Sequence, residues 1–307
     1  MMEKGTFQSV KGDSLEKRLW LPEGDMVGMV QLVHGMCEHI GRYEATAERL
    51  NRAGYGVVGH THLGHGEGAP LLGYFAQEGG WDALVEDTHT LGEETRERFP
   101  GLPYFLLGHS MGSFVVRTYC LKYEEGLAGV ILSGTGHYAP GVVGLGRGIA
   151  KIQCALGMSQ KPSKLLEGIS SAGNNKGYED VQTPFDWLSR DRAAVQKYVE
   201  DPYCGYTFTA SAYGDLFDGL SRLTPQNLGT MSREIPLLLL SGDMDPVGAH
   251  GEGVRQVAEE YRQAGIKDVQ VLLYPQGRHE MFNELNREQV WEDLIGWLEE
   301  KRASGKA

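Results

Sequence analysis

The sequence has 307 residues, a net charge of −12, and 41% hydrophobic and 23% charged residues, which is an ordinary composition for a globular chain. The acidic balance argues against nucleic acid as a partner, because phosphate binding needs clustered Lys and Arg. No apolar run approaches the ~20 residues of a membrane span, no apolar signal segment is found near residue 1, and the four cysteines lack paired spacing, so we expect free thiols and a cytoplasmic location.

Short apolar runs alternate with helical patterns along most of the chain. The predicted strands cover residues 26–33, 55–58, 103–108, 127–134, 235–242 and 268–274, and predicted helices cover 42–53, 81–98, 250–264 and 287–302. Several of the strands are continuously apolar, as parallel strands covered on both faces are. The alternation predicts an α/β fold with a mostly parallel, doubly wound sheet.

This alternation stops between about residues 135 and 230. The segment lacks strong strand signals and carries helical pieces such as PFDWLSRDRAAVQKYVE, at residues 184–200. Nearly a hundred residues are too many for a plain loop. We therefore expect residues 1–134 and 231–307 to form one core, with residues 135–230 inserted as a helical cap.

A serine between two glycines follows the predicted strand at 103–108. The pentapeptide Gly108-His109-Ser110-Met111-Gly112 fits G-x-S-x-G and precedes a helical pattern. In a sharp strand-to-helix turn, side chains two residues before and after the serine would collide with the strand or the helix, which explains both glycines. The pattern predicts that Ser110 is a catalytic nucleophile.

A nucleophilic serine needs a base and an acid that orients the base. His279 lies in a glycine-containing loop after the last predicted strand, and Asp243 and Asp245 both follow the strand at 235–242. The order serine, aspartate, histidine is the one that this fold uses. Either aspartate could reach His279, although the position beyond the strand end favours Asp245.

An oxyanion hole needs preorganised backbone N–H groups. Met111, at the start of the helix after Ser110, would supply one of them. The loop after residues 26–33 reads His34-Gly35-Met36, and Met36 would supply the other.

At these positions the chain resembles the α/β-hydrolases of the monoacylglycerol lipase and lysophospholipase group, the serine aminopeptidase-like hydrolases. The resemblance spans residues 5–302 and rests on HGMCEHIGRY (34–43), HTHLGHG (60–66), GHSMGS (108–113), SGDMDPVG (241–248) and GRHEMFNE (277–284). It implies an α/β-hydrolase fold with the cap inserted before the strand that carries the acid. It also implies Ser110, Asp245 and His279 as the triad, and Met36 and Met111 as oxyanion donors.

Three histidines in six positions, His60, His62 and His65, raise the question of a metal site, because imidazole is a common metal ligand. The zinc-binding pattern H-x-H-x-D-H has an aspartate where this chain has Gly64. The family's loop reads D-x-x-G-H-G, with an aspartate where this chain has Thr61. We therefore predict no metal and no cofactor, and leave the role of Thr61 open.

The resemblance implies a serine hydrolase that cleaves carboxylic esters, such as monoacylglycerols or lysophospholipids, through an acyl-enzyme. The apolar segment 139–158 would suit an acyl chain or transient contact with a lipid surface, or it packs the cap onto the core. An aminopeptidase or amidase would need cap carboxylates to hold an amino group, and the candidates are Glu167, Glu179, Asp180, Asp186, Asp191 and Glu200. A non-catalytic receptor with this fold is a third alternative. The oligomeric state is not indicated.

Overall fold

The computed structural model describes residues 1–171, 173–179 and 181–304, and these residues form eight strands and ten α-helices. The strands are β1 (Met2–Gln8), β2 (Ser14–Trp20), β3 (Gly28–Val33), β4 (Tyr55–His60), β5 (Tyr104–His109), β6 (Leu127–Ser133), β7 (Leu237–Gly242) and β8 (Val269–Tyr274). The helices are α1 (Glu44–Arg52), α2 (Gly80–Arg98), α3 (Met111–Tyr123), α4 (Pro140–Gln153), α5 (Lys164–Ser171), α6 (Arg192–Glu200), α7 (Ala210–Ser221), α8 (Pro225–Leu228), α9 (Glu252–Gln263) and α10 (Arg287–Ser304).

The strands form one sheet in the order β1-β2-β4-β3-β5-β6-β7-β8. Strands β3 to β8 are parallel to one another, whereas β2 pairs antiparallel with both β1 and β4. The order reverses direction at β3, and loops from the carboxyl ends of the parallel strands meet at one edge of the sheet. In open α/β sheets this edge is where ligands bind.

Both faces of the sheet are covered by helices. Val30, Leu32 and Val57 point into a core with α1 and α10, while Met29, Val33 and Leu106 point into the opposite core with α2, α3 and α9. Strands that are buried on both faces explain the continuous apolar runs in the sequence. The α/β-hydrolase fold predicted from the sequence is confirmed.

The first two strands are not among those predicted from the apolar runs. β1 and β2 form a hairpin at the edge of the sheet, and most of their residues are exposed or only partly buried. An edge strand of this kind carries charged residues rather than a continuous apolar run.

Between β6 and β7 the described part of the chain forms helices and no strand. Helix α4 packs mainly on α7 through Val143, Gly146 and Ala150, and α7 in turn contacts α2 and α3 of the core. A short π-helical turn, Cys154–Met158, follows α4. Among the described residues, no helix is both long enough and apolar enough to cross a membrane.

Candidate active site

Ser110 lies in the tight turn between β5 and α3. Its backbone has φ 52° and ψ −122°, which is strained for a residue with a side chain, and its N–H donates to the Ser133 carbonyl at 2.8 Å. Strained backbone persists where the surrounding structure over-determines it, and such positions cluster at functional sites. The turn therefore holds Ser110 at the carboxyl edge of the sheet.

The two glycines of the pentapeptide are required by close packing around this turn. A Cβ on Gly112 would lie 2.0 Å from the Val33 carbonyl oxygen, and one on Gly108 would lie 2.4 Å from the Gly112 carbonyl oxygen. Neither contact is possible for a real side chain. The approach of α3 to β3 thus depends on Gly112, and its approach to β5 depends on Gly108.

His279 is paired with Asp245, in the loops after β8 and β7. The His279 Nδ1 atom lies 3.0 Å from both carboxylate oxygens of Asp245, and both side chains are buried. Asp245 also accepts hydrogen bonds from the Val247 N–H at 2.9 Å and the Ser241 hydroxyl at 3.1 Å. The imidazole is therefore oriented by a carboxylate that is itself held in place.

The second aspartate, Asp243, takes a different partner. Its carboxylate accepts a hydrogen bond from the Gln276 N–H at 2.6 Å, in the turn before His279. The geometry therefore separates two residues that the sequence left as alternatives: Asp245 faces the histidine, and Asp243 stabilises the loop.

Burial and charge act in opposite directions on this pair. Burial raises the pKa of Asp245, but the neighbouring imidazole and the hydrogen bonds lower it by more than burial raises it. The net pKa therefore lies below the usual range. Burial lowers the pKa of His279, and the Asp245 charge raises it to a net value above the usual range. The lowered pKa of Asp245 and the raised pKa of His279 have the same cause, which is the attraction between the anionic carboxylate and the imidazole.

Ser110, His279 and Met36 line one cavity of about 320 Å³ beneath the inserted helices. Met111 is the first residue of α3, so its N–H has no acceptor within that helix. No acceptor in the described part of the chain takes the Met36 N–H either. Met36 thus lies in the wall of the same cavity as Ser110, and Met111 directly follows Ser110 in the chain.

The rest of the cavity wall comes largely from the segment between β6 and β7. This part of the wall is mainly aromatic and apolar. Its aromatic and apolar side chains are Pro184, Phe185, Trp187, Leu188, Tyr198, Tyr206 and Tyr213, and Glu167, Ser171 and Gly205 complete it. Segment 139–158, which the sequence offered as a possible lining, does not reach this cavity. It packs on α7 instead and leaves part of its apolar surface exposed.

The carboxylates of the segment between β6 and β7, where the sequence predicts a cap, make different contacts. Glu167 lines the cavity and accepts a hydrogen bond from the Thr207 hydroxyl at 2.9 Å. Asp186 and Asp191 form ion pairs with Arg192 and Arg287. Glu200 accepts a hydrogen bond from Gln196 on the same helix, and Asp180 lies outside the described residues.

Glu38, Arg42 and Glu280 form a buried network at the cavity, and no role for these residues was predicted from the sequence. Glu38 accepts hydrogen bonds from the Gly35 N–H at 2.6 Å and the Tyr43 hydroxyl at 2.8 Å, and it pairs with Arg42. Arg42 also donates from Nη1 and Nη2 to the two carboxylate oxygens of Glu280, each at 2.7 Å. The available signal was the run HGMCEHIGRY, whose Glu, Arg and Tyr are the residues that hold the loop containing Met36.

The three histidines of the 60–66 run are packed against one another and against His34. The His62 N–H donates to His34 Nε2 at 3.0 Å, and His62 Nδ1 lies 3.1 Å from His60 Nε2. Burial is the main cause that lowers the pKa of His60 to about 3 and that of His65 to about 4, so these rings are neutral at pH 7.

Thr61 lies in the same loop and has a backbone contact. Its hydroxyl oxygen accepts a hydrogen bond from the Ile40 N–H at 3.4 Å, and its own N–H donates to the Glu16 carbonyl at 2.9 Å.

A larger cavity of about 820 Å³ lies on the side of this loop that faces the β1–β2 hairpin, and neither Ser110 nor His279 lines it.

In the part of the chain that the structure describes, one group of three donors is close enough to hold a metal ion: His39, Asp201 and Cys204, with ligand atoms within 4.8 Å of one another. Both nitrogens of His39 already have partners, because Nε2 lies 2.9 Å from Asp201 and Nδ1 accepts from the Gly41 N–H. The histidines of the 60–66 run form no such group among the described residues.

A family model, two relatives in sequence and a solved structure similar to this chain are all hydrolases. The family model described as "Serine aminopeptidase, S33" matches residues 24–286. The chain is 32% identical to a monoacylglycerol lipase of Mycolicibacterium smegmatis, over 95% of each chain, and 26% identical to the human monoglyceride lipase, over 95% of this chain and 89% of that one. The crystal structure of a thermostable carboxyl esterase from Bacillus coagulans, in complex with glycerol, superposes with a TM-score of 0.92 at 31% identity, covering 98% of this chain and 99% of that chain.

The pairing of His279 with Asp245 leads to a prediction for the imidazole titration. In the Asp245→Asn variant the pKa of His279 should fall, because the charge that offsets its burial is lost. NMR titration of the imidazole resonances would measure this shift. Asp243→Asn is the matched control and should leave the titration unchanged. A larger shift in Asp243→Asn than in Asp245→Asn would contradict the pairing.

Proposed function

Because the chain belongs to the serine aminopeptidase S33 family of α/β-hydrolases, we propose that it cleaves monoacylglycerols through an acyl-enzyme formed on Ser110. It is a carboxylic ester hydrolase. The observation that carries the assignment of residues is the buried contact of His279 Nδ1 with Asp245, next to the cavity that His279 and Ser110 both line. The cytoplasmic location expected from the sequence stays a prediction.

The proposed reaction has two steps. His279 Nε2 accepts the proton of the Ser110 hydroxyl as its oxygen attacks the ester carbonyl, and Asp245 stabilises the imidazolium. The N–H groups of Met36 and Met111 donate to the oxyanion of the tetrahedral intermediate. Collapse expels the alcohol, which takes the proton from His279, and a water molecule activated by the same imidazole then releases the fatty acid.

The raised pKa of His279 sets the pH range of this mechanism. The imidazole must be neutral to accept the serine proton, so activity should be lost as pH falls below the raised pKa. One part of the stability contributed by the His279–Asp245 pair has the opposite dependence. The part that comes from the raised His279 pKa is complete below the unfolded-state pKa of ~6.5 and is lost as pH rises through the higher folded-state value.

The cavity supports an acyl ester as substrate. Its wall is mainly aromatic and apolar, and its volume of about 320 Å³ lies at the small end of the range for small-molecule sites. Two relatives similar along most of the chain are named for monoacylglycerol or monoglyceride hydrolysis. Glu167 supports one alternative, an aminopeptidase, because its carboxylate in the wall could bind a free amino group.

We also propose that residues 135–230 act as a cap and that its outer surface contacts lipid. Exposed apolar side chains lie on α4, on the turn after it and on α5, with Leu145 at 59%, Ile152 at 62% and Leu156 at 73% exposure. Lys151, Lys161 and Lys164 lie on the same segment. This local combination of apolar and basic residues favours an anionic membrane surface, even though the whole chain is acidic.

The mechanism predicts that Ser110→Ala abolishes hydrolysis of p-nitrophenyl esters, with a loss of ~10⁴-fold or more in kcat, and that a fluorophosphonate probe no longer labels the protein. The circular dichroism spectrum should stay unchanged. Excess EDTA should leave the wild-type activity intact. Undiminished turnover by Ser110→Ala, or loss of activity in EDTA that zinc restores, would refute the serine mechanism.

The substrate proposal predicts a higher kcat/KM for medium-chain monoacylglycerols than for aminoacyl p-nitroanilides. Glu167→Gln provides the matched test of the alternative, since it removes the charge and keeps the shape. Under the ester proposal this variant retains hydrolysis of p-nitrophenyl butyrate. A preference for substrates with a free α-amino group, lost in Glu167→Gln, would establish the aminopeptidase instead.

The cap proposal predicts that a Leu145→Ser, Ile152→Ser, Leu156→Ser triple variant binds phosphatidylglycerol vesicles less well in a sedimentation assay. Its hydrolysis of a soluble p-nitrophenyl ester should match that of the wild type, because these side chains do not line the cavity. Val199→Ser, at another exposed apolar position of the cap, is the control. Equal vesicle binding by the triple variant and the wild type would rule out this surface.

A further inference from the structure

Cys37 directly follows the predicted oxyanion donor Met36, and its backbone conformation is unusual. It has φ 56°, in the left-handed region that favours glycine, and it is buried. A residue with a side chain stays in that region only where neighbouring contacts over-determine it. Neighbouring contacts must therefore hold Cys37 in this conformation.

Three residues of one cap segment, 198–206, bind Cys37. The Cys37 carbonyl oxygen accepts hydrogen bonds from the Tyr198 hydroxyl at 3.0 Å and from the Gly205 N–H at 3.1 Å. The Cys37 thiol donates to the Tyr206 carbonyl oxygen at 2.8 Å. Burial raises the pKa of this thiol well above its usual range, so the S–H donor is retained at neutral pH.

The rest of the loop is held from the core side. Glu38 accepts from the Gly35 N–H at 2.6 Å, so the residue before Met36 is fixed by the core network, and the residue after it is fixed by the cap. The peptide that carries the Met36 N–H lies between these two attachments. The Gly35 carbonyl of the same peptide lies 2.8 Å from His34 Nδ1, so the core sets the direction of the Met36 N–H directly. The cap acts on it through Cys37, the next residue in the chain.

We propose that Cys37 is a positioning residue through which the cap segment 198–206 aligns the Met36 N–H with the oxyanion. This inference rests on the proposed function, because the Met36 N–H has this role only if a tetrahedral intermediate forms on Ser110. It assigns the cap a part in transition-state stabilisation in addition to binding the acyl chain. Loss of these contacts lowers the rate of the chemical step more than it weakens substrate binding.

The test uses Tyr198→Phe and Cys37→Ala, each of which removes one hydrogen bond to the cap. Tyr198→Phe keeps the ring that contacts Arg42. Removal of a whole oxyanion donor costs ~10²–10³-fold in kcat, so we expect misalignment to cost about tenfold, with KM for p-nitrophenyl butyrate changed less than threefold. The Ki of butylboronic acid, which forms a tetrahedral adduct with the serine, should rise in parallel with the loss in kcat.

Two controls accompany these variants. Cys37→Ser retains a donor for the Tyr206 carbonyl and should recover most of the wild-type kcat. Tyr203→Phe removes a hydroxyl from the same cap segment without affecting Cys37, and should behave as wild type. If Tyr198→Phe and Cys37→Ala lower Tm but leave kcat and the boronate Ki unchanged, the contacts only attach the cap and the proposal is wrong.

The outcome is separable from that of the proposed function. If Ser110→Ala is inactive and Tyr198→Phe is fully active, the serine mechanism holds and the positioning role fails. If Ser110→Ala remains active, the proposed function fails before Cys37 is tested. Should Cys37→Ala not fold, Tyr198→Phe with the boronate measurement decides the question alone.

Discussion

The close approach of α3 to β3 and β5 is the constraint on which the rest of the site depends. With glycine at 108 and 112, the helix begins immediately after Ser110, and the strained turn projects this serine beyond the sheet. The same approach places the first N–H of α3 beside Ser110, where no helical acceptor uses it. The loops after β3, β7 and β8 end at the same edge because these strands are parallel. The packing of α3 on β3 and β5 therefore determines where Ser110 lies. The parallel direction of β3, β7 and β8 determines which loops surround it.

Buried charge around this turn is stabilised by hydrogen bonds on every side. An ionised carboxylate in an apolar interior is unfavourable unless it has partners. Asp245 has His279, the Val247 N–H and the Ser241 hydroxyl, and Glu38 has Gly35, Tyr43 and Arg42. The histidines of the 60–66 run meet the same requirement in another way, because burial keeps them neutral. Their packing supports the loop next to the site.

The parts of the structure that follow from local sequence were predictable, and the parts that depend on distant contacts were not. Short apolar runs predict the parallel strands, and the spacing of two glycines predicts the turn at Ser110. The β1–β2 hairpin was not found, because edge strands have weak patterns. Asp245 was preferred to Asp243 from its position beyond the strand end and from the family resemblance, because its contact with His279 depends on a loop 34 residues further along the chain. The aromatic cavity wall likewise brings together residues of the cap whose spacing follows neither a helix nor a strand.

The proposed cap and the core contribute different parts of the site, and this difference suggests where function can vary within the family. In the proposed mechanism the core loops supply the reacting groups, whereas the proposed cap supplies most of the cavity wall, including Trp187, Tyr206 and the Glu167 carboxylate. A family described as an aminopeptidase and relatives named as lipases can share one chemical apparatus, because acyl transfer to serine serves esters and amides alike. Discrimination between them then lies in the cap. In the role proposed for Cys37, a change in the cap that alters the substrate also alters the position of the Met36 N–H. The proposed role of Cys37 therefore links substrate preference to rate in this chain through residues 198–206.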